Sequence, residues 1–310
     1  MAQDLAAARP GWPALLREHA RLHAFAALGL VLGLLGVVLL LVMSIAQVFG
    51  GNAAPGLRLA LLGGTAGLAA TALGALPALA LRSMPRRVED SMLGFAAGMM
   101  LAATAFSLLL PGLDAAESIV GGKALGAATV VAGMALGVLL MLGLDAFTPH
   151  EHDKSGPCGP GHQHCSRLWL FIFAIALHNP PEGMAIGVSF SQADMAVGLP
   201  LTSAIAIQDI PEGLAVALAL RSAGFSPGHA VLVGAGSGLL EPLGALIGVG
   251  LSSGLAVAYP LGLGLAGGAM LFVVSHEVIP ETHRNGHQMP ATIGLMIGFA
   301  LMMVLDTTLG

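Results

Sequence analysis

His178-Asn179-Pro180-Pro181-Glu182-Gly183 interrupts an apolar run over 168–191, and Gln208-Asp209-Ile210-Pro211-Glu212-Gly213 interrupts the next run, over 197–220. The two hexads align at an offset of 30 residues: His against Gln, Asn against Asp, and Pro-Glu-Gly identical. Each lies near the middle of a stretch long enough to cross hydrocarbon as a helix. Two antiparallel neighbouring helices would therefore place matching polar patches at one depth. His178 and Glu182 are four residues apart and Asn179 and Glu182 three, so each pair shares a helix face. Gln208 and Asp209 stand in the same relations to Glu212. Each glutamate can thus serve two adjacent clusters, the form that a bridging ligand of a two-metal centre takes.

The prolines add to this. Pro180, Pro181 and Pro211 lack a backbone N–H and leave the carbonyls of Ala176, Leu177 and Ile207 without their helical partners. Broken helix at membrane depth is tolerated where it is buried or lines a cavity, and such breaks mark transporters. A third run, 228–251, holds Glu241-Pro242, again acid beside proline near its middle. Met99 and Met100 fall at similar depth in the run 88–112. Met100 is either a soft thioether ligand or a packing residue.

Composition places these groups in a membrane. The chain has 310 residues, 56% of them apolar and 9% charged, with a mean hydropathy of +0.86. A soluble domain carries roughly 25% charge, so a soluble globular enzyme is excluded. The net charge of -5 argues against nucleic-acid binding. Two cysteines, Cys158 and Cys165, do not make a disulfide framework. The expected fold is all-α, a polytopic helix bundle of nine transmembrane helices, near 24–49, 57–81, 88–112, 121–147, 168–191, 197–220, 228–251, 256–280 and 290–309. Residues 1–23 read as a cytoplasmic N-terminal segment, 24–49 as an extra N-terminal transmembrane helix, and 57–310 as the core. The 44 glycines, in pairs such as Gly29/Gly33, Gly133/Gly137, Gly234/Gly238 and Gly264/Gly268, read as faces for close internal helix packing.

Ten of the twelve Lys and Arg residues fall on the side of the N-terminus; Arg58 and Lys123 fall on the other. The positive-inside rule then puts the N-terminus in the cytoplasm and the C-terminus outside. The longest internal loop, 148–167, is cytoplasmic on that reading. Its His150, His152, His162 and His164 give it a metal-binding composition, although the spacing fits no closed zinc-finger pattern. It is either a metal-contacting loop or a polar linker.

One Asn or Gln in a span is ordinary interhelical glue. Glu182, Asp209, Glu212 and Glu241 at one depth, with no Lys or Arg in mid-span, are not. Unpaired carboxylates in hydrocarbon are very costly or protonated, and divalent cations resolve the cost. Two dications balance the four carboxylates. The mixed imidazole, amide and carboxylate set suits Zn, Cd, Fe(II) or Mn(II) better than Ca or Mg. Further acids and histidines lie toward the two faces: Asp114 and Asp306 outside, Asp90, Asp145, His276 and Glu277 inside. They are either solvated helix ends or steps of a cation pathway. Counted at 1.5 Å per residue, His276-Glu277 sits deep enough to be an exit ligand.

With both hexads, Glu241-Pro242, His276-Glu277 and the histidine-containing internal loop in view, the chain resembles the ZIP (Zrt/Irt-like protein) family of divalent-metal transporters, in its bacterial form. The resemblance covers the second to ninth spans, the family's usual eight, with the first span an addition. It implies uptake of zinc, cadmium or related ions across the inner membrane into the cytoplasm, through a central binuclear site, by alternating access in a homodimer. It implies a first metal on His178, Glu182, Gln208 and Glu212, with Met100 nearby, and a second on Asn179, Glu182, Asp209, Glu212 and Glu241. Many relatives have His where Gln208 stands, which bears on selectivity for zinc. The alternatives are a passive metal-selective channel and an intramembrane metalloenzyme. The latter lacks support: His276-Glu277-Val278-Ile279-Pro280 puts proline where a zinc protease motif needs its second histidine.

Overall fold

The computed structural model describes residues 17–18, 20–22, 24–50, 54–147, 150–152, 156–158, 167–252 and 254–310. The helices are α1 (Ala24–Phe49), α2 (Pro55–Leu79), α3 (Arg86–Val120), α4 (Lys123–Phe147), α5 (Arg167–Phe190), α6 (Met195–Ser222), α7 (Pro227–Leu251), α8 (Ala258–His283) and α9 (Gln288–Leu309). All but α1 and α5 are among the seven described helices long and apolar enough to cross a membrane. The protein is an integral membrane protein. Helices α1 and α5 cover the stretches expected for the first and fifth spans. Among the described residues the fold is all-α as expected, apart from a short two-stranded antiparallel hairpin in the loop after α4, β1 (His150–His152) with β2 (Gly156–Cys158). His162 and His164 lie outside the described residues.

The expected span 88–112 is too short: α3 runs to Val120 and ends on Gly121, whose φ of 75° gives the left-handed turn that stops a helix. Asp114 therefore sits within the helix. Pro111 does not end it, because the turn before it widens to π geometry over Thr104–Leu109. Helix α8 does the same, with a π turn over Val274–Val278 immediately before Ile279-Pro280. One extra residue in the turn makes room for a carbonyl that the proline ring would otherwise strike. In α7 the helix breaks at Gly238 and resumes at Leu240.

Glycines decide which helices pair. Gly94 and Gly98 of α3 face the backbone of Ala291 and Leu295, and Gly294 and Gly298 of α9 face Ser91 and Phe95 in return. Gly133 and Gly137 of α4 interlock in the same way with Gly264 and Gly268 of α8. Gly183 and Gly187 of α5 meet Glu241 and Ala245, and Gly244 and Gly248 of α7 meet Pro180 and Met184. Gly74 of α2 abuts Ile210, and Gly213 of α6 abuts Thr71. A Cβ at any of these positions would strike a neighbouring backbone. The α4/α8 seam bears out two of the expected glycine faces as internal packing. The pairs α3/α9 and α4/α8 form one group; α5/α7 and α2/α6 form a second, joined further by α2 against α7. Helix α1 lies on α7, where Ser44 Oγ donates to the Leu246 carbonyl at 3.1 Å, and also touches α4.

Candidate metal centre

The site belongs mainly to the second helix group. Helix α5 supplies His178, Asn179 and Glu182; α6 supplies Gln208, Asp209 and Glu212; α7 supplies Glu241 in the first turn after its break. All seven side chains are buried, and Glu182, Gln208 and Glu241 have no exposure at all. One oxygen each of Glu182, Asp209 and Glu212 lies within 4.8 Å of the others, so both hexads converge on one point.

Polar atoms here are sorted into those that hold the protein and those left over. Asn179 Nδ2 donates to the Ser237 carbonyl at 3.1 Å, capping the last turn before the break in α7. Gln208 donates its amide N–H to Glu182 Oε1. Thr71 Oγ1 of α2 donates to Glu241 Oε1 at 2.9 Å. What remains are Asn179 Oδ1, Glu182 Oε2, Gln208 Oε1, Asp209 Oδ2, Glu212 Oε1 and Glu241 Oε2, six buried oxygens with no hydrogen-bond donor. A buried acceptor without a donor costs several kcal/mol or so, and more when charged. Six on six of the residues singled out as ligands form an oxygen-rich cradle suited to a cation.

His178 stands slightly apart. Its Nε2 lies 3.4 Å from Glu277 Oε2, so Glu277 of α8 reaches the site from the other helix group. Glu277 and His276 both sit in the π turn of α8; His276 is exposed and stacks beside Phe272, with ring centroids 4.8 Å apart. Met100 is wholly buried in the main apolar cluster, where packing accounts for its burial.

Asp90 and Asp306 have partners elsewhere. Asp90 is wholly buried; Asn285 Nδ2 and His287 Nδ1 each lie 2.8 Å from its carboxylate, tying the turn before α9 to the start of α3. Asp306 accepts from Ser107 Oγ, in the π turn of α3, at 2.7 Å. Asp114 is exposed, and Asp145 is half-buried near the end of α4. Glu277 is brought to the ligand set through His178. Thr71 and Gly67 were missed by sequence reasoning. A Cβ on Gly67 would occupy the place of Glu241 Oε2 and come within 3.1 Å of Asp209 Oδ2.

Comparison with known proteins agrees with the geometry. The chain is 63% identical over 310 residues to the zinc transporter ZIPB of Bordetella bronchiseptica, covering 100% of this chain and 98% of that one. It is 42% identical over 255 residues to the zinc transporter GufA of Myxococcus xanthus (82% and 99% covered). It is 31% identical over 321 aligned residues to the human zinc transporter ZIP11 (77% and 94% covered). Residues 145–306, which include both hexads, Glu241 and Glu277, match the family described as ZIP Zinc transporter, and the chain belongs to that family.

Proposed function

We propose that the protein carries zinc across the bacterial inner membrane into the cytoplasm through a two-cation site on Glu182, Glu212 and their neighbours. The carrying observation is the set of six donorless buried oxygens inside the bundle. Cadmium, iron(II) and manganese(II) fit the same donor set. His178, Glu182, Gln208 and Glu212, with Met100 as a soft neighbour, hold one cation. Asn179, Glu182, Asp209, Glu212 and Glu241 hold the other. The Lys/Arg distribution supports a cytoplasmic N-terminus and an outer C-terminus, with α1 and α5 crossing as the remaining two of nine spans. Asp114 and Asp306 then mark the outer approach and Asp90, Asp145, His276 and Glu277 the inner one. The hairpin histidines, His150 and His152, with His162 and His164, contact metal on the cytoplasmic side.

Alternating access is the preferred mode. Each helix group is locked internally by glycine seams at backbone distance, whereas the ligands of one group face Glu277 of the other. Two firmly built bodies around a shared site suit relative movement better than a fixed pore. A homodimer in the bilayer completes the proposal.

Uptake of radioactive zinc into proteoliposomes tests it. The expected result is saturable uptake with strong temperature dependence and no unitary currents. Uptake that is equal in wild type and Glu182→Ala would refute the proposed route, and unitary currents would favour a channel. Ligand carboxylates must be ionised to bind, so protons compete with metal. Equilibrium dialysis at two pH values should therefore show zinc affinity falling as pH falls; an unchanged affinity would argue against a carboxylate site.

A further inference from the structure

We infer that Thr71, on a helix that contributes none of the expected ligands, is a positioning residue that sets where the second cation sits. This rests on the two-cation reading above. Thr71 is buried, 2% exposed, and lies where α2, α6 and α7 meet. Its carbonyl abuts Gly213, and its Cβ lies against Gly238 at the break of α7. Its hydroxyl has one proton and two acceptors in reach, Glu241 Oε1 at 2.9 Å and the Gly67 carbonyl at 3.2 Å. The closer acceptor takes the stronger bond.

That bond fixes one oxygen of Glu241 and so aims the other. Glu241 Oε2 turns into the space that Gly67 leaves by lacking a Cβ, and Asp209 Oδ2 borders the same space at 3.1 Å. Neither oxygen has a donor, and their residues are 0% and 1% exposed. Two carboxyl oxygens bordering one space, neither with a donor from another side chain, form half of an oxygen-only cation position. Without the hydroxyl, Glu241 can rotate about its terminal torsion, which has no steep well to hold it, and that position loses its geometry. The other position, with His178 and Gln208, contains no atom that Thr71 holds.

The experiment compares wild type, Thr71→Val and Thr71→Ser, purified in detergent and loaded with cadmium. Elemental analysis counts the metal, and cadmium nuclear magnetic resonance reports the ligand type at each position. Wild type should hold two cadmium ions per chain with two resonances. Thr71→Val, which keeps the shape and removes the hydroxyl, should lose the oxygen-only resonance or weaken that site at least about tenfold, as removal of an orienting partner generally does. Thr71→Ser should restore both. If Thr71→Val does not fold, Gly67→Ala is the second probe: its methyl displaces Glu241 Oε2 directly and should erase the same resonance. A wild type binding one cadmium overturns the two-cation reading. Two unshifted resonances in Thr71→Val, or in Gly67→Ala where that probe is used, overturn the role of Thr71 and leave the two-cation reading standing.

Discussion

Glu212→Ala protein should purify with neither cation and carry zinc at less than about a tenth of the wild-type rate. Removing only an orienting neighbour of a ligand typically weakens a metal site about 10- to 100-fold, and Glu212 is argued to be a ligand of both positions. Its carboxylate lies within 4.8 Å of both Glu182 and Asp209, which come from different helices. Loss of a bridging charge leaves each cation with fewer anionic ligands in a buried site. Asn179→Ala and Asp209→Ala should behave differently. They touch one cluster and should retain about one cation, with uptake reduced but measurable. Elemental analysis of the three purified variants decides the matter. Equal metal content in all three would refute the bridging assignment, and full retention in Glu212→Ala would remove it from the site altogether.

The hexads were legible because a charged residue in a lipid span has few innocent explanations, and because helical spacing fixes which side chains share a face. That logic gathered Glu182, Asp209 and Glu212 before any coordinates. It could not find Thr71 or Gly67. A threonine and a glycine in an apolar helix are unremarkable until the tertiary fold sets them against Glu241. The same limit explains His276 and Glu277. Both lie in the π turn over Val274–Val278, and the sequence does not show that Glu277 reaches His178 from the other helix group. Asp90 lies near the start of α3, yet its partners Asn285 and His287 are nearly two hundred residues away. Nothing local shows that it clamps a turn. The end of α3 was not legible either: the expected span stops at 112, whereas the helix carries Pro111 inside it after a widened turn and runs on to Val120.

Glycine pairs were legible as packing faces, but which face meets which was not, and that pairing carries the largest expected effect on stability. Gly137→Ala should lower the melting temperature by several degrees, whereas Gly143→Ala in the same helix should leave it unchanged or raise it slightly. Around Gly143 an added Cβ meets nothing within 4 Å, so alanine brings up to roughly 1 kcal/mol of helix propensity without a clash. At Gly137 the same atom would strike the Leu265 carbonyl and lie 2.8 Å from the Ala269 nitrogen. Backbone cannot swing aside as a side chain can, so α4 and α8 must separate. That opens a seam in which Gly264 and Gly268 face Val130 and Met134 in the same manner. Overpacking of this kind costs about 1–3 kcal/mol, and each kcal/mol shifts the midpoint by about 2–4 °C in a chain of 150–250 residues. Melting followed by size-exclusion chromatography in one detergent gives the comparison. Both positions lie far along the chain from the hexads, and the seam joins two helices of the group that supplies none of the seven main ligands. Metal content of the folded Gly137→Ala fraction should therefore stay at the wild-type level. Equal melting temperatures for the two variants would show that the α4/α8 seam yields, and a body that yields there would no longer support rigid movement of one helix group against the other.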